Sequence, residues 1–166
     1  MPSEEIAMTD SQTFVEGMSR LAAGVSLVTT IGEDGAPLGM LATAVTSVSA
    51  DPPTLLVCVN QSATMHADLI RSGTFCVNVL GEANAEIARR FSSGTDRAAR
   101  FATGDWRRVG RGAPVLADSL VSFNCRIETT VPGGTHTVVI GRVVDLATPP
   151  VTGGPLVYFG RGYLHG

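Results

Sequence analysis

From Phe14 to Ala22 the apolar residues Phe14, Val15, Met18, Leu21 and Ala22 recur at helical spacing, and Thr13-x-x-Glu16 has the form of a capping box. The spacing predicts one amphipathic helix, stopped by Gly24. Beyond it the β-branched content rises. Val25 to Ile31 reads as a strand, Gly32-Glu-Asp-Gly35 as a hairpin turn, and Leu38 to Val48 as a second, longer strand. Asp51-Pro-Pro53 breaks the ladder before a short, continuously apolar strand, Leu55 to Val59. Met65 to Arg71 is a short helix stopped by Gly73, Phe75 to Leu80 a strand, and Ala83 to Phe91 a helix with Ile87, Ala88 and Phe91 inward. A polar loop with Ser92, Ser93, Gly94 and Thr95 follows, and it carries Trp106 in an exposed setting. In Val121 to Glu128, Val121, Phe123, Cys125 and Ile127 alternate strictly with Ser122, Asn124, Arg126 and Glu128, the period of a half-buried strand. Gly133-Gly134 turns the chain into Thr137 to Leu146, and Leu156 to Phe159 closes the set.

Six or seven strands joined mainly by hairpins predict a mainly β fold, an antiparallel barrel with a few short helices rather than a doubly wound sheet. Residues 1–10 are expected to be a flexible N-terminus and 11–166 a single domain. At 44% apolar residues, some of the hydrophobic surface is available for a subunit interface, and a homodimer is expected.

Composition narrows the chemistry. The chain of 166 residues carries 12 basic and 15 acidic side chains, and every basic one is Arg. Without lysine there is no Schiff-base mechanism and no P-loop lysine. Net acidity without a basic run argues against nucleic acid, and no apolar run reaches the ~20 residues of a membrane-spanning helix. Cys58, Cys76 and Cys125 are far apart and set in apolar segments, so they read as reduced core thiols. Met1 to Asp10 has acidic residues but no charged n-region and no apolar h-region, and a cytoplasmic location is expected. No His, Cys or carboxylate pair has metal-ligand spacing, and neither a GxSxG elbow nor a dinucleotide fingerprint is present.

Three places can carry chemistry. From Ala42 to Ser47 no side chain exceeds Val in size. A flat ligand with alternating donors and acceptors, such as the pyrimidine edge of a flavin, could lie on this backbone, with Thr43, Thr46 and Ser47 offering hydroxyls. The same small residues would equally pack under a helix or at a subunit interface. Asn60-Gln-Ser-Ala-Thr64 lies between a strand and a helix, where Ser62 and Thr64 either cap the helix or help hold a phosphate. Arg89 and Arg90 could add charge to that phosphate or stabilise a helix C-terminus. His136, in a turn entering a strand, could project over a cleft or simply be a solvated turn residue, and His66 and His165 are weaker candidates.

Several segments, in order, resemble the short-chain flavin reductase family, the reductase components of two-component flavin-dependent monooxygenases. They are Met18-Ser-Arg-Leu-Ala-Ala-Gly-Val25, Val28-Thr-Thr30, Thr43-Ala-Val-Thr-Ser-Val-Ser49 with Asp51-Pro-Pro53, and Cys58-Val-Asn60 with Ser62. Phe75-Cys-Val-Asn78, Arg90-Phe91, His136-Thr-Val-Val-Ile-Gly141 and Pro155-Leu-Val-Tyr-Phe159 complete the set, so that the similarity covers Phe14 to Leu164.

The resemblance implies a split β-barrel homodimer of the FMN-binding type that reduces FMN or FAD with NADH or NADPH and supplies a separate monooxygenase. It implies that Thr43, Ala44, Val45, Thr46, Ser47 and Ser49 line the isoalloxazine. Asn60, Gln61, Ser62 and Thr64, with Arg90 and Phe91, would hold the ribityl phosphate. His136 would face the nicotinamide side as the catalytic candidate, with Tyr163 nearby. One departure matters: Gly134-Thr135-His136 stands where many members have Gly-Asp-His, which removes an acidic orienter of the imidazole. A flavin-binding barrel without reductase activity is the competing reading from another class. Pyridoxamine-phosphate-oxidase-like or deazaflavin-using barrels are a third.

Overall fold

The computed structural model describes residues 9–92, 98–108, 112–150 and 153–164. Helix α1 spans Ser11–Ser19 and leads through β1 (Ala23–Gly24) into β2 (Ser26–Ile31), β3 (Pro37–Ala42), β4 (Val45–Ala50) and β5 (Pro53–Asn60). Then come α2 (His66–Ser72), β6 (Thr74–Val79), α3 (Ala85–Ser92), β7 (Trp106–Arg107) and β8 (Val115–Leu116). The long strands β9 (Val121–Gly133) and β10 (His136–Ala147) precede β11 (Val157–Phe159) and β12 (Gly162–Leu164). The fold is mainly antiparallel β with few helices, as expected.

Seven strands form one sheet in the order β3-β2-β6-β9-β10-β5-β4. Both of its edges, β3 and β4, come from the stretch expected to be one long strand, interrupted at Thr43–Ala44. A flat sheet of seven strands would hold its edges roughly 29 Å apart at the usual strand spacing. The two linking residues reach at most about 11 Å. The sheet therefore curls until its edges meet at one end, yet β3 and β4 are not paired with each other and the ladder stays open there.

Inside the curl lies the larger core cluster, with Val28, Val57, Val59, Phe75, Val77, Cys125 and Val139 from the strands and Met65 and Leu69 from α2. A second cluster lies on the other face beneath α3: Leu27, Leu80, Ile87, Ala88, Phe91 and Leu156, flanked by Phe101, Trp106, Tyr158 and Tyr163. Strand β2 is covered on both faces, which is why Leu27, Val28, Thr29 and Thr30 are all buried.

The polar groups this buries are paired. Asn78 of β6 donates from Nδ2 to the Leu27 carbonyl (3.1 Å) and accepts at Oδ1 from the Leu116 N–H and the Ser122 hydroxyl (both 2.8 Å). Thr30 donates to the Thr74 carbonyl at 2.8 Å and Thr29 to that of Pro114. One amide thus ties β2, β6, β8 and β9 together.

Several expectations change. The capping residue of α1 is Asp10, not Thr13: its carboxylate accepts from the Gln12 and Thr13 N–H groups at 2.9 Å, and the Thr13 hydroxyl is spent on the same carboxylate. A charged acceptor holds those amides better than a hydroxyl. Asp10 is thereby fixed, although it falls within the expected flexible N-terminus, whose residues 1–8 lie outside the described ones. The helix stops at Ser19 rather than running to Gly24, because Ala23 and Gly24 pair with Tyr158 and Val157.

Asp51-Pro52 forms the turn of the β4–β5 hairpin, with β5 starting at Pro53. Ser122, on the expected solvated face of its strand, is buried because Asn78 and the segment around Leu116 and Ser119 cover it. Trp106 is half-buried against Phe101, with ring centroids 4.8 Å apart and its indole N–H donated to the Thr103 carbonyl at 2.7 Å. Apolar stacking outweighs the polar character of the surrounding sequence. Ser93, Gly94 and Thr95 of that loop, and His165, lie outside the described residues.

A Cβ at Gly141 would stand 2.6 Å from the buried Phe75 ring and 3.1 Å from Cys125 Cβ, so Gly141→Ala should destabilise by about 1–3 kcal/mol in urea unfolding. Burial pushes the Cys76 and Cys125 thiols up to about 12 from 9.0, with the neighbouring Cys125 adding to the rise at Cys76. In the unfolded chain both ionise near the ordinary value, so their contribution to stability is intact below about pH 9 and is lost between about 9 and 12. The urea midpoint should fall across that window. Thiol reagent should modify half-buried Cys58 in the native protein and the other two only on unfolding.

Candidate functional site

The site is built around the link that joins the sheet's edges. The Ala44 carbonyl accepts from the Cys58 N–H at 3.1 Å, anchoring the link to β5. Both Thr43 and Ala44 are exposed, and they line an apolar groove of about 430 Å³. Val15, Met18 and Leu21 of α1 and its exit form one wall, and Tyr158 and Arg161 complete it. The apolar row of α1 is thus exposed rather than core: none of its side chains is buried, and three of the four largest face this groove.

Past the link, the small-residue segment turns to a different surface. Val45, Thr46, Ser47 and Ser49 line a second groove of about 330 Å³ with Thr54, Phe123 and Val143. A bulge between Ser47 and Ser49 shifts the register against β5 there. The structure therefore does not gather Thr43 to Ser49 on one wall: Thr43 and Ala44 belong to the groove under α1, and the rest to its neighbour.

At the far end of β5, Asn60 pairs with His136 across the ladder. The Asn60 side chain accepts from the Ser62 N–H (2.9 Å) and hydroxyl (2.8 Å), closing a tight turn. Neither Ser62 nor Thr64 caps α2; its N-cap is Met65, without a side-chain cap. Thr64 instead faces β3, in a small recess with Gly39, Arg100 and Phe101. Gln61 reaches across to the β9–β10 turn, donating its N–H to the Thr135 carbonyl (3.0 Å) and its side-chain amide to that of His136 (3.3 Å). His66 Nε2 and Thr137 Oγ1 are 2.9 Å apart, a third tie between these segments.

The His136 ring is half-buried, and its Nδ1 is 2.9 Å from Thr135 Oγ1. Thr135 thus takes the orienting place that an acid would otherwise fill. A hydroxyl can donate or accept, so it fixes the ring's rotation in either tautomer.

The residues around α3 are engaged with one another. Glu86 pairs with Arg89 and lies 3.4 Å from the Arg90 guanidinium, so one carboxylate braces both cations. Phe91 is buried, its ring edge-on to Phe101 at 5.1 Å, and a Cβ at Gly39 would come within 2.8 Å of it. Its side chain supports the sheet beneath the recess rather than lining a groove. Tyr163 packs 5.9 Å from Tyr158, and burial raises its phenol, an effect opposed by the Ser92 hydrogen bond and the Arg89 charge. Both tyrosines therefore join the C-terminal hairpin to α3 and to the groove.

Sequence reasoning passed over Arg161, His66 as a partner of Thr137, and the structural role of Asn78. An Arg between two glycines, Gly160-Arg-Gly162, and an Asn inside an apolar strand were the available signals. Among the described residues no cluster of His, Cys, Asp or Glu could hold a metal ion, and no helix is long and apolar enough to cross a membrane.

Comparison with known proteins agrees with this architecture. The FMN reductase (NADH) RutF of Methylorubrum populi is 48% identical over 145 residues, spanning 87% of this chain and 71% of that protein. Among solved structures, nitrilotriacetate monooxygenase component B from Mycobacterium thermoresistibile superposes with a TM-score of 0.86 at 32% identity, covering 93% of this chain and 86% of that one. The NADH:FAD oxidoreductase SgcE6 of Streptomyces globisporus C-1027 does so at 0.85 and 31%, covering 99% and 98%. The model of the flavin reductase like domain matches residues 18–166, and the chain belongs to that family.

Proposed function

We propose that this protein is an NADH-dependent flavin reductase whose curled sheet is a split barrel, and that it supplies reduced flavin to a separate monooxygenase. The observation that carries the reading is the groove at the Thr43–Ala44 link. It has a volume in the range of small-molecule sites, is mainly apolar, and has peptide backbone on one wall. A planar ring fits those properties: one face meets Val15, Met18 and Tyr158, the other stays open to the nicotinamide, and its polar edge meets backbone groups near Thr43 and Ala44. A flavin bound there supplies the acceptor for hydride from the nicotinamide, so the protein needs no acid of its own at the reacting atoms.

The chain's residues then have positional work. Thr43 and Ala44 hold the ring edge, and the Asn60–Thr64 turn with Arg90 holds the ribityl phosphate. Thr46, Ser47 and Ser49 extend the site along β4. Thr135 holds His136 by Nδ1 and leaves Nε2 for the nicotinamide side. FMN is the flavin named for the RutF relative and FAD that named for SgcE6, and both are named with NADH. NADH is therefore taken as the donor in preference to NADPH, with FMN the first flavin to test. Component B, by its name one part of a monooxygenase, supports a separate oxygenase as the recipient. A homodimer would cover the exposed apolar residues Phe14, Val48 and Phe159, and the cytoplasm is the proposed site of action.

Anaerobic mixing of the protein with NADH and FMN or FAD should bleach the flavin in step with nicotinamide oxidation. Flavin binding without bleaching by NADH or NADPH would overturn the reductase reading in favour of a binding module. Ala44→Leu places a large side chain on an exposed wall, so it should leave the melting temperature unchanged and weaken flavin binding by about tenfold or more, read by fluorescence titration. His136→Ala should lower kcat/KM for NADH by about tenfold at unchanged flavin affinity.

A further inference from the structure

Arg161 is the one positive-φ residue among the described residues that is not glycine. It follows Gly160 in the tight turn between β11 and β12, the two having φ of 66° and 58°, a conformation that favours Gly or Asn over Arg. Strain of this kind persists where the surroundings enforce it, and it clusters at ligand sites.

Its visible partner is a weak compensation. Arg161 Nη2 lies 3.3 Å from Glu16 Oε2, but both side chains are more than half exposed and Glu16 is shared with Arg20 at 3.5 Å. Exposed pairs contribute little. The turn is already fastened to α1 without the guanidinium, by the Gly160 N–H donating to the Ser19 carbonyl at 2.8 Å. What the side chain adds is a cation on an otherwise apolar groove, beside Tyr158, Thr43 and Ala44.

We infer that Arg161 is a ligand-binding residue, and that it takes the pyrophosphate of the nicotinamide dinucleotide while the rings occupy the groove. The inference rests on the flavin reductase reading and deepens it. That reading already gives the flavin's phosphate a place at the Asn60–Thr64 turn, which leaves the dinucleotide as the anionic tail for the cation of the β11–β12 turn. The guanidinium suits a phosphate group because its fork of N–H donors matches two oxygens. Glu16 holds it at the rim in the free protein and is exchanged for the ligand.

The test is Arg161→Gly, which removes the cation and relieves the backbone at once. The melting temperature should hold or rise, while KM for NADH rises about tenfold at low salt with kcat little changed, the difference shrinking as salt is added. FMN affinity should not move. Glu16→Gln, which frees the cation, should leave KM for NADH equal or lower. A lower melting temperature with unchanged KM would overturn the inference and make Arg161 a strut for α1, and no change in either would overturn it as well. Weaker FMN binding with unchanged KM for NADH would overturn the assignment to the dinucleotide and give the guanidinium to the flavin phosphate. NAD⁺ titration by calorimetry on both proteins separates this from the reductase reading. If the wild type reduces no flavin, weaker NAD⁺ binding by Arg161→Gly still supports the inference, and equal binding overturns it.

Discussion

A single short connection governs the molecule. Ala42 ends the strand on one edge of the seven-stranded sheet and Val45 begins the strand on the other, with only Thr43 and Ala44 between them. The curl this imposes creates an interior, and the apolar faces of six strands with Met65 and Leu69 fill it. It also leaves a seam that backbone pairing does not close. The groove and its backbone wall lie at that seam, so the element that shapes the core also shapes the site.

Much of this was legible in the chain and some was not, for physical reasons. The helices at α2 and α3, the hairpin turns at Gly32–Gly35 and Gly134, and strands β6, β9 and β10 follow local periodicity and turn chemistry, which short segments carry by themselves. The break at Thr43–Ala44 carries no such mark. A run of small and β-branched residues suits a strand on either side of it, and only long-range pairing decides that the halves part company. Trp106 and Ser122 were misplaced for the same reason: part of their surroundings comes from more distant segments, Phe91 in one case and Asn78 in the other. The resemblance to flavin reductases singled out the segment that contains the seam, yet it carried no sign that Phe91 turns into the core or that Thr43 and Ser47 line different grooves.

The polar chemistry is divided in a consistent way. The buried polar groups of β2 and β6 are paired, with Asn78 engaged on both sides of its amide and Thr30 bound to the Thr74 carbonyl and lying 2.8 Å from the Ser72 hydroxyl. Exposed cations on α3 are braced by Glu86. The groups left with capacity to spare, the hydroxyls of Thr43, Thr46 and Ser47, stand where the sheet is open. Rigidity is thus concentrated beneath the site and adaptability at its surface.

The ties between the Asn60–His66 segment and the Thr135–Thr137 turn have a bearing on how the chain matures. Asn60 meets His136 across some seventy intervening residues, and β5 has only β4 and β10 as neighbours in the sheet. A growing chain can pair β2 with β3 and with β6 early, but β10 is synthesised after nearly everything else. Contacts of such sequence separation form slowly. The corner where Asn60 meets His136 is therefore among the last parts to assemble during synthesis, and a chain with that corner in place has by that fact finished folding.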